Sequence, residues 1–143
     1  MGSWSFCLRS GWLSTVILVG LLYLAIGIAS IALAGAAASN QMRSFWRLSA
    51  FVISAVVFAS HIAHEHFRLR NTTRSTAWHA AVAVACGAFA LALMANIHDL
   101  GSASGYRPRM LVALVAWPLL TAVPAFIIAL VVAAGLTLRR GST

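Results

Sequence analysis

The chain contains no lysine and only two acidic residues, Glu65 and Asp99. Charged residues make up 8% of it, against about 25% in soluble domains, so a water-facing surface laced with ion pairs is excluded. All of the formal positive charge, net +8, rests on ten arginines. Cysteine is almost absent. Cys7 lies in the N-terminal lead and Cys86 in the middle of an apolar run, so neither a disulfide framework nor a CxxC motif is available. No glycine-rich phosphate loop and no G-x-S-x-G occur, which removes the commonest nucleotide-binding and serine-hydrolase signatures.

What is abundant is apolar. Of the 143 residues 62% are hydrophobic, and the mean hydropathy is +0.92. Too few polar residues are left to cover such a core in water, so lipid is the expected solvent. A pI near 11.6 suits nucleic acid as well as membranes. Here, however, the arginines stand in short clusters at the ends of apolar runs, as they do in loops that flank membrane spans. No basic face with base-reading or stacking side chains can be drawn, so nucleic acid is not an expected partner.

Four apolar stretches, about 12–38, 45–66, 76–97 and 110–138, each reach the roughly 20 residues that a spanning helix requires. They predict an all-α fold: an integral membrane protein built as a four-transmembrane-helix antiparallel bundle, one domain over 1–143, its short links making neighbours run in opposite directions. A-x-A patterns around Ala32–Ala38 resemble a signal-peptide cleavage site, but the apolar run before them is longer than an h-region. The first span is therefore read as retained. The Met-Gly start lacks the Ser or Thr that myristoylation needs, since Phe6 stands there.

Within the first span Gly20, Tyr23, Gly27, Ser30 and Ala34 recur at three- and four-residue steps, a small-residue stripe that admits a close neighbour. His79, Ala83, Cys86 and Ala90 share a face of the third span in the same way. Ser75 is a candidate N-cap for that span. Pro118 and Pro124 should bend the fourth. Trp12, Trp46 and Trp78 stand at span ends as interface anchors do, and Trp117 is expected to pack within the bundle.

With the N-terminus inside, Arg9, Arg68, Arg70, Arg74, Arg139 and Arg140 lie on the cytoplasmic side, and Arg43, Arg47, Arg107 and Arg109 outside. The positive-inside rule then favours cytoplasmic N- and C-termini. Arginine without lysine, with abundant Ala, Gly and Val, points to a GC-rich bacterial genome and hence to a multi-pass protein of the cell inner membrane.

Chemistry concentrates in Ser60–Arg74, S-H-I-A-H-E-H-F-R-L-R-N-T-T-R. At about 100° per residue, His61, His64 and Glu65 fall on one side of a helix and His66 turns away. Arg47, Ser54, His61 and Arg68, seven apart, extend that side into a polar stripe that should face the bundle, because lipid offers it no partner. His64 and His79 each lie about one turn from the inner end of their spans, so adjacent antiparallel helices bring them to similar depth.

Three uses follow. The cluster can be a set of interfacial polar residues, histidines pairing with Glu65 and arginines meeting lipid phosphates. It can bind haem b, with His61, His64 or His79 as ligands and Arg68, Arg70 or Arg74 on the propionates, or a transition metal on His61, His64, Glu65 and His79. Or Glu65, the acid nearest a span interior, can carry protons for a small transporter. Four spans in 143 residues are similar in outline to the small multidrug resistance transporters, whose acid sits mid-span in the first helix; this chain has none there. His61-x-x-His64-x-His66 resembles one histidine box of the membrane fatty-acid desaturases and hydroxylases. Those enzymes carry several such boxes, and this chain has five histidines in all. H-E-x-x-H and H-x-x-E-H both fail, at Arg68 and Ile62.

The expectation is accordingly a small accessory or structural membrane protein rather than an enzyme. Its partners are the lipid bilayer and other membrane subunits, or a homo-oligomer of itself. A haem- or metal-binding protein, then a proton-coupled transporter, are the alternatives.

Overall fold

The computed structural model describes residues 10–100 and 109–140. The N-terminal lead with Cys7 and Arg9, and the Gly/Ser-rich link with Arg107 and Pro108, lie outside the described residues. So do the side chains of Asp99, Arg109, Arg139 and Arg140. Four helices follow in order: α1 (Ser10–Ala36), α2 (Asn40–Phe67), α3 (Thr73–Leu100) and α4 (Arg109–Arg140). No strand occurs among the described residues. Each helix is long and apolar enough to cross a membrane.

Two helix starts differ from the sequence reading, for one reason. The mostly polar stretch Ser39–Ser44 looks like a loop, yet α2 begins at Asn40. Ser39 is extended (φ −129°, ψ 155°) and its hydroxyl oxygen accepts from the Met42 amide, so it caps the helix. Arg43 then reaches back, its Nε–H donating to the Ala34 carbonyl at 3.3 Å, a cation closing the last turn of α1. The cap of α3 is Thr72 and not Ser75. Thr72 Oγ1 accepts from the Ser75 amide, and its carbonyl from the Thr76 amide at 2.9 Å. Polar capping residues extend helices here; composition alone assigns them to links.

Contacts fix the directions. Gly20 lies against Cys86 and Ala83, and Gly27 against Leu91, so α1 and α3 run parallel. Arg43 on Ala34 sets α1 and α2 antiparallel, and Trp78 edge-on to Phe126 sets the early part of α3 beside the later part of α4. The small-residue stripe of α1 therefore meets α3. At the crossing a Cβ on Gly87 would stand 2.7 Å from Tyr23 Cβ, so Gly87 is required by the approach of the backbones, and one on Gly20 would stand 3.3 Å from Cys86 Cβ, a tight contact. α3 is the central rod, packed most extensively on α4 and then on α1. α2 touches α4 least.

The burial pattern is inverted relative to a soluble domain. Of the thirteen buried apolar residues described, ten are alanines. Long side chains point outward: Phe51 is 73% exposed, Leu18 66% and Val131 66%. α4 runs unbroken through Pro118 and Pro124. Between them the Thr121 hydroxyl lies 3.0 Å and 3.1 Å from the carbonyls of Trp117 and Pro118. Those are not the carbonyls the prolines free, which belong to Leu114 and Leu120.

Candidate functional site

The end of α2 buries four consecutive-turn residues: His61, Ile62, Glu65 and His66. On a wheel of about 100° per residue this face is centred between Glu65 and Ile62, and His64 points about 130° away from that centre. His64 is exposed. This corrects the expected grouping, in which His64 faced the bundle and His66 turned outward. Apolar Ile62, fully buried against Ala77, Ala80 and Ala129, sets the rotation of the helix, and the polar side chains follow it. The long polar stripe is likewise shortened. Ser54 and His61 are inward or partly so, whereas Arg47 and Arg68 are exposed.

Glu65 is the centre of the cluster, with no exposed surface. His79 Nδ1–H, from the second turn of α3, donates to Glu65 Oε2 at 3.0 Å. The Asn71 side-chain amide donates to the same oxygen, and the Asn71 backbone amide donates to the Glu65 carbonyl at 3.3 Å. Arg70, at φ 51°, makes the left-handed turn that folds Asn71 back over the end of α2. On its other side His79 is covered by Trp12 of α1, stacked at 4.9 Å between ring centres and 10° between planes. α2, α3 and the link between them thus converge on a single carboxylate, and α1 covers its His79 partner with an aromatic face.

Around this pair lie polar atoms with no protein hydrogen bond: both ring nitrogens of His61 and of His66, Glu65 Oε1 and Thr76 Oγ1. All four residues are buried. Depth was legible, since His79 does meet the end of α2, but its partner there is Glu65 and not His64. Among the described residues no group of three or more His, Cys, Asp or Glu side chains is arranged to hold a metal ion. Arg68, Arg70 and Arg74 are exposed and stand around the cluster rather than in it. Asn71, Thr76 and Trp12 were not singled out as site residues. Trp12 is third in α1 and His79 seventh in α3, so depth alone does not pair them; the parallel packing of α1 on α3 at Gly20 brings them together.

A second feature lies deeper. A cavity of about 760 Å³ is lined by all four helices, within the size range of small-molecule sites. Its floor is made of small residues, Gly27, Gly87, Ala88 and Ala125, and Phe51 and Trp117 flank it from α2 and α4. Trp117 is 54% exposed, which corrects its expected place inside the bundle. The cleft exists because α2 and α4 stay apart. A smaller cavity of about 350 Å³, between the end of α1 and the start of α2, is lined by Ser30, Ile31, Ala34, Gly35, Arg43 and Arg47.

No family model matches the chain, and no curated protein and no solved structure matches it either.

Proposed function

We propose that the chain is a four-span integral protein of the cell inner membrane, with cytoplasmic termini, acting as an accessory or structural component through contacts with other membrane subunits or with a second copy. The observation that carries the membrane part is the inverted burial: alanines inside, Phe, Leu, Ile and Val outside. In water that exterior would cost about 25 cal/mol for each Å² of apolar surface; in lipid it costs nothing, and small residues instead let helices approach.

The contact part rests on how little lies beyond the helices. Between α1 and α3 only residues 37–39 and 68–72 are outside them, so helix faces are the surface on which another protein can act. Extraction in mild detergent should recover stable partner chains or a homo-oligomer. A lone, monodisperse monomer would count against this role.

A second reading is favoured by the buried Glu65–His79 pair with His61 beside it. Buried ionisable groups within a membrane commonly mark proton paths or cofactor sites. On this reading Glu65, His61 and His79 carry a proton or contribute to a haem or metal site, without His64. Glu65→Gln should then abolish proton-coupled uptake in liposomes, or a Soret band or bound metal should vanish in His79→Ala. Protein purified after supplying haem and metals that is colourless, metal-free and inert to proton gradients would dispose of it.

A further inference from the structure

The two cavities share no lining residue but follow one another along α1 and α2, and they differ in character. The small one carries Arg43 and Arg47, one turn apart on α2. The large one begins one turn further on, at Ala50 and Phe51 of α2 and at Ile26 and Gly27 of α1, and extends to Phe58. On α1 the same continuity runs from Gly27 to Ser30 and Ala34 along the small-residue stripe. From Arg47 to Phe58 is about 16 Å at 1.5 Å per residue.

Among the described residues no acidic side chain neutralises the charge at the head end. Glu65, the only acidic residue whose side chain is described, belongs to the opposite rim, about 33 Å from Arg43 along α2. Arg43 uses Nε–H on the Ala34 carbonyl, which holds its guanidinium over the crevice and leaves the terminal nitrogens for another acceptor. Arg47 forms no hydrogen bond or ion pair with any described residue. The Ser30 hydroxyl donates to the Gly27 carbonyl at 2.8 Å, so the crevice is served by guanidinium donors, whose fork matches phosphate oxygens. Basic pockets between membrane helices take phosphate headgroups.

We propose that this is a binding site for one anionic, phosphate-bearing amphiphile. Its phosphate lies between Arg43 and Arg47, and its hydrocarbon chain lies in the cleft between α2 and α4, over Gly27, Gly87 and Ala88. The chain enters sideways, because α2 and α4 leave that side open to the bilayer. The inference rests on the membrane reading and goes beyond it: a component that acts only through protein contacts needs no such site.

The test is native mass spectrometry of the full-length chain released from mild-detergent micelles. It is loaded in turn with phosphatidylglycerol, diacylglycerol, or inorganic phosphate alone. Phosphatidylglycerol should be retained one to one, and diacylglycerol at least tenfold less. Arg47→Gln, which removes no internal bond, should cut retention about tenfold, and Arg43→Gln/Arg47→Gln further. Ala50→Trp, which fills the cleft next to the head, should cut it similarly with both arginines intact. Equal retention of phosphatidylglycerol and diacylglycerol, or no effect of Arg47→Gln, overturns the head site. Inorganic phosphate binding equally well, with Ala50→Trp without effect, reduces the site to a free-phosphate pocket and overturns the amphiphile. Alkaline carbonate washing of membranes carrying the same variants separates the two proposals: protein that stays in the membrane and retains no lipid refutes only this one.

Discussion

Glu65 and His79 stand 14 positions apart in the sequence and 3.0 Å apart in the fold, and between them they tie the end of α2 to the start of α3. Breaking a buried pair by deleting one partner leaves the other unpaired in a low dielectric. Glu65→Ala should therefore cost about 3 kcal/mol of unfolding free energy. Glu65→Gln, which keeps an acceptor for His79 and Asn71, should cost about 1 kcal/mol. Denaturant titration in mixed micelles measures both, and equal losses would mean that shape and not charge holds the junction.

The rotation of α2 separates the histidines that the sequence groups together. His64→Ala alters an exposed side chain and should change stability by less than about 0.5 kcal/mol. His79→Ala strips a buried carboxylate of one of its two partners, leaving Asn71, and removes the ring under Trp12, at a cost of about 1–3 kcal/mol. Similar costs at both positions would contradict the inward face described for α2.

Gly87 and Gly135 test the crossing of α1 and α3. A methyl group on Gly87 meets Tyr23 Cβ at 2.7 Å and the Gly20 carbonyl oxygen at 3.2 Å, whereas one on Gly135 meets nothing within 4 Å. Gly87→Ala should destabilise by about 1–3 kcal/mol through overpacking. Gly135→Ala should be neutral or gain up to about 1 kcal/mol of helix propensity. A stable Gly87→Ala protein would mean that the two helices do not approach so closely.

Arg70 holds a left-handed conformation, φ 51°, that its Cβ disfavours. Its side chain is exposed, so Arg70→Gly relieves the backbone with little loss of contact. The variant should gain about 0.5–1 kcal/mol, relief of strain outweighing the added freedom of the unfolded chain. Arg70→Val, β-branched at the same φ, should lose stability in the same titration.

Helix number and order were legible because apolar runs of this length have one common solution in lipid. The α1 stripe was legible because small residues at helical spacing announce a close neighbour, and α3 supplies it with Cys86 against Gly20 and Gly87 against Tyr23. The rotation of α2 was not. Reading the polar side chains as the inward set places His64 inside, but burial of Ile62 against alanines fixes the face. Helix starts were also hidden, because Ser39 and Thr72 cap helices from within stretches whose composition suggests links. The apolar cleft depends on how far α2 stands from α4, which no spacing within either helix encodes.

The central claim, that lipid surrounds the outward-facing apolar side chains of four crossing helices, is tested most directly by labelling. In a background with Cys7 and Cys86 replaced by serine, Ser39→Cys and Arg68→Cys place single thiols at the two ends of α2. The account predicts that a membrane-impermeant maleimide, applied to sealed inverted and right-side-out vesicles, labels the two positions from opposite sides, Arg68→Cys from the cytoplasmic side. Labelling of both positions from one side, or recovery of the chain in the soluble fraction, would contradict it.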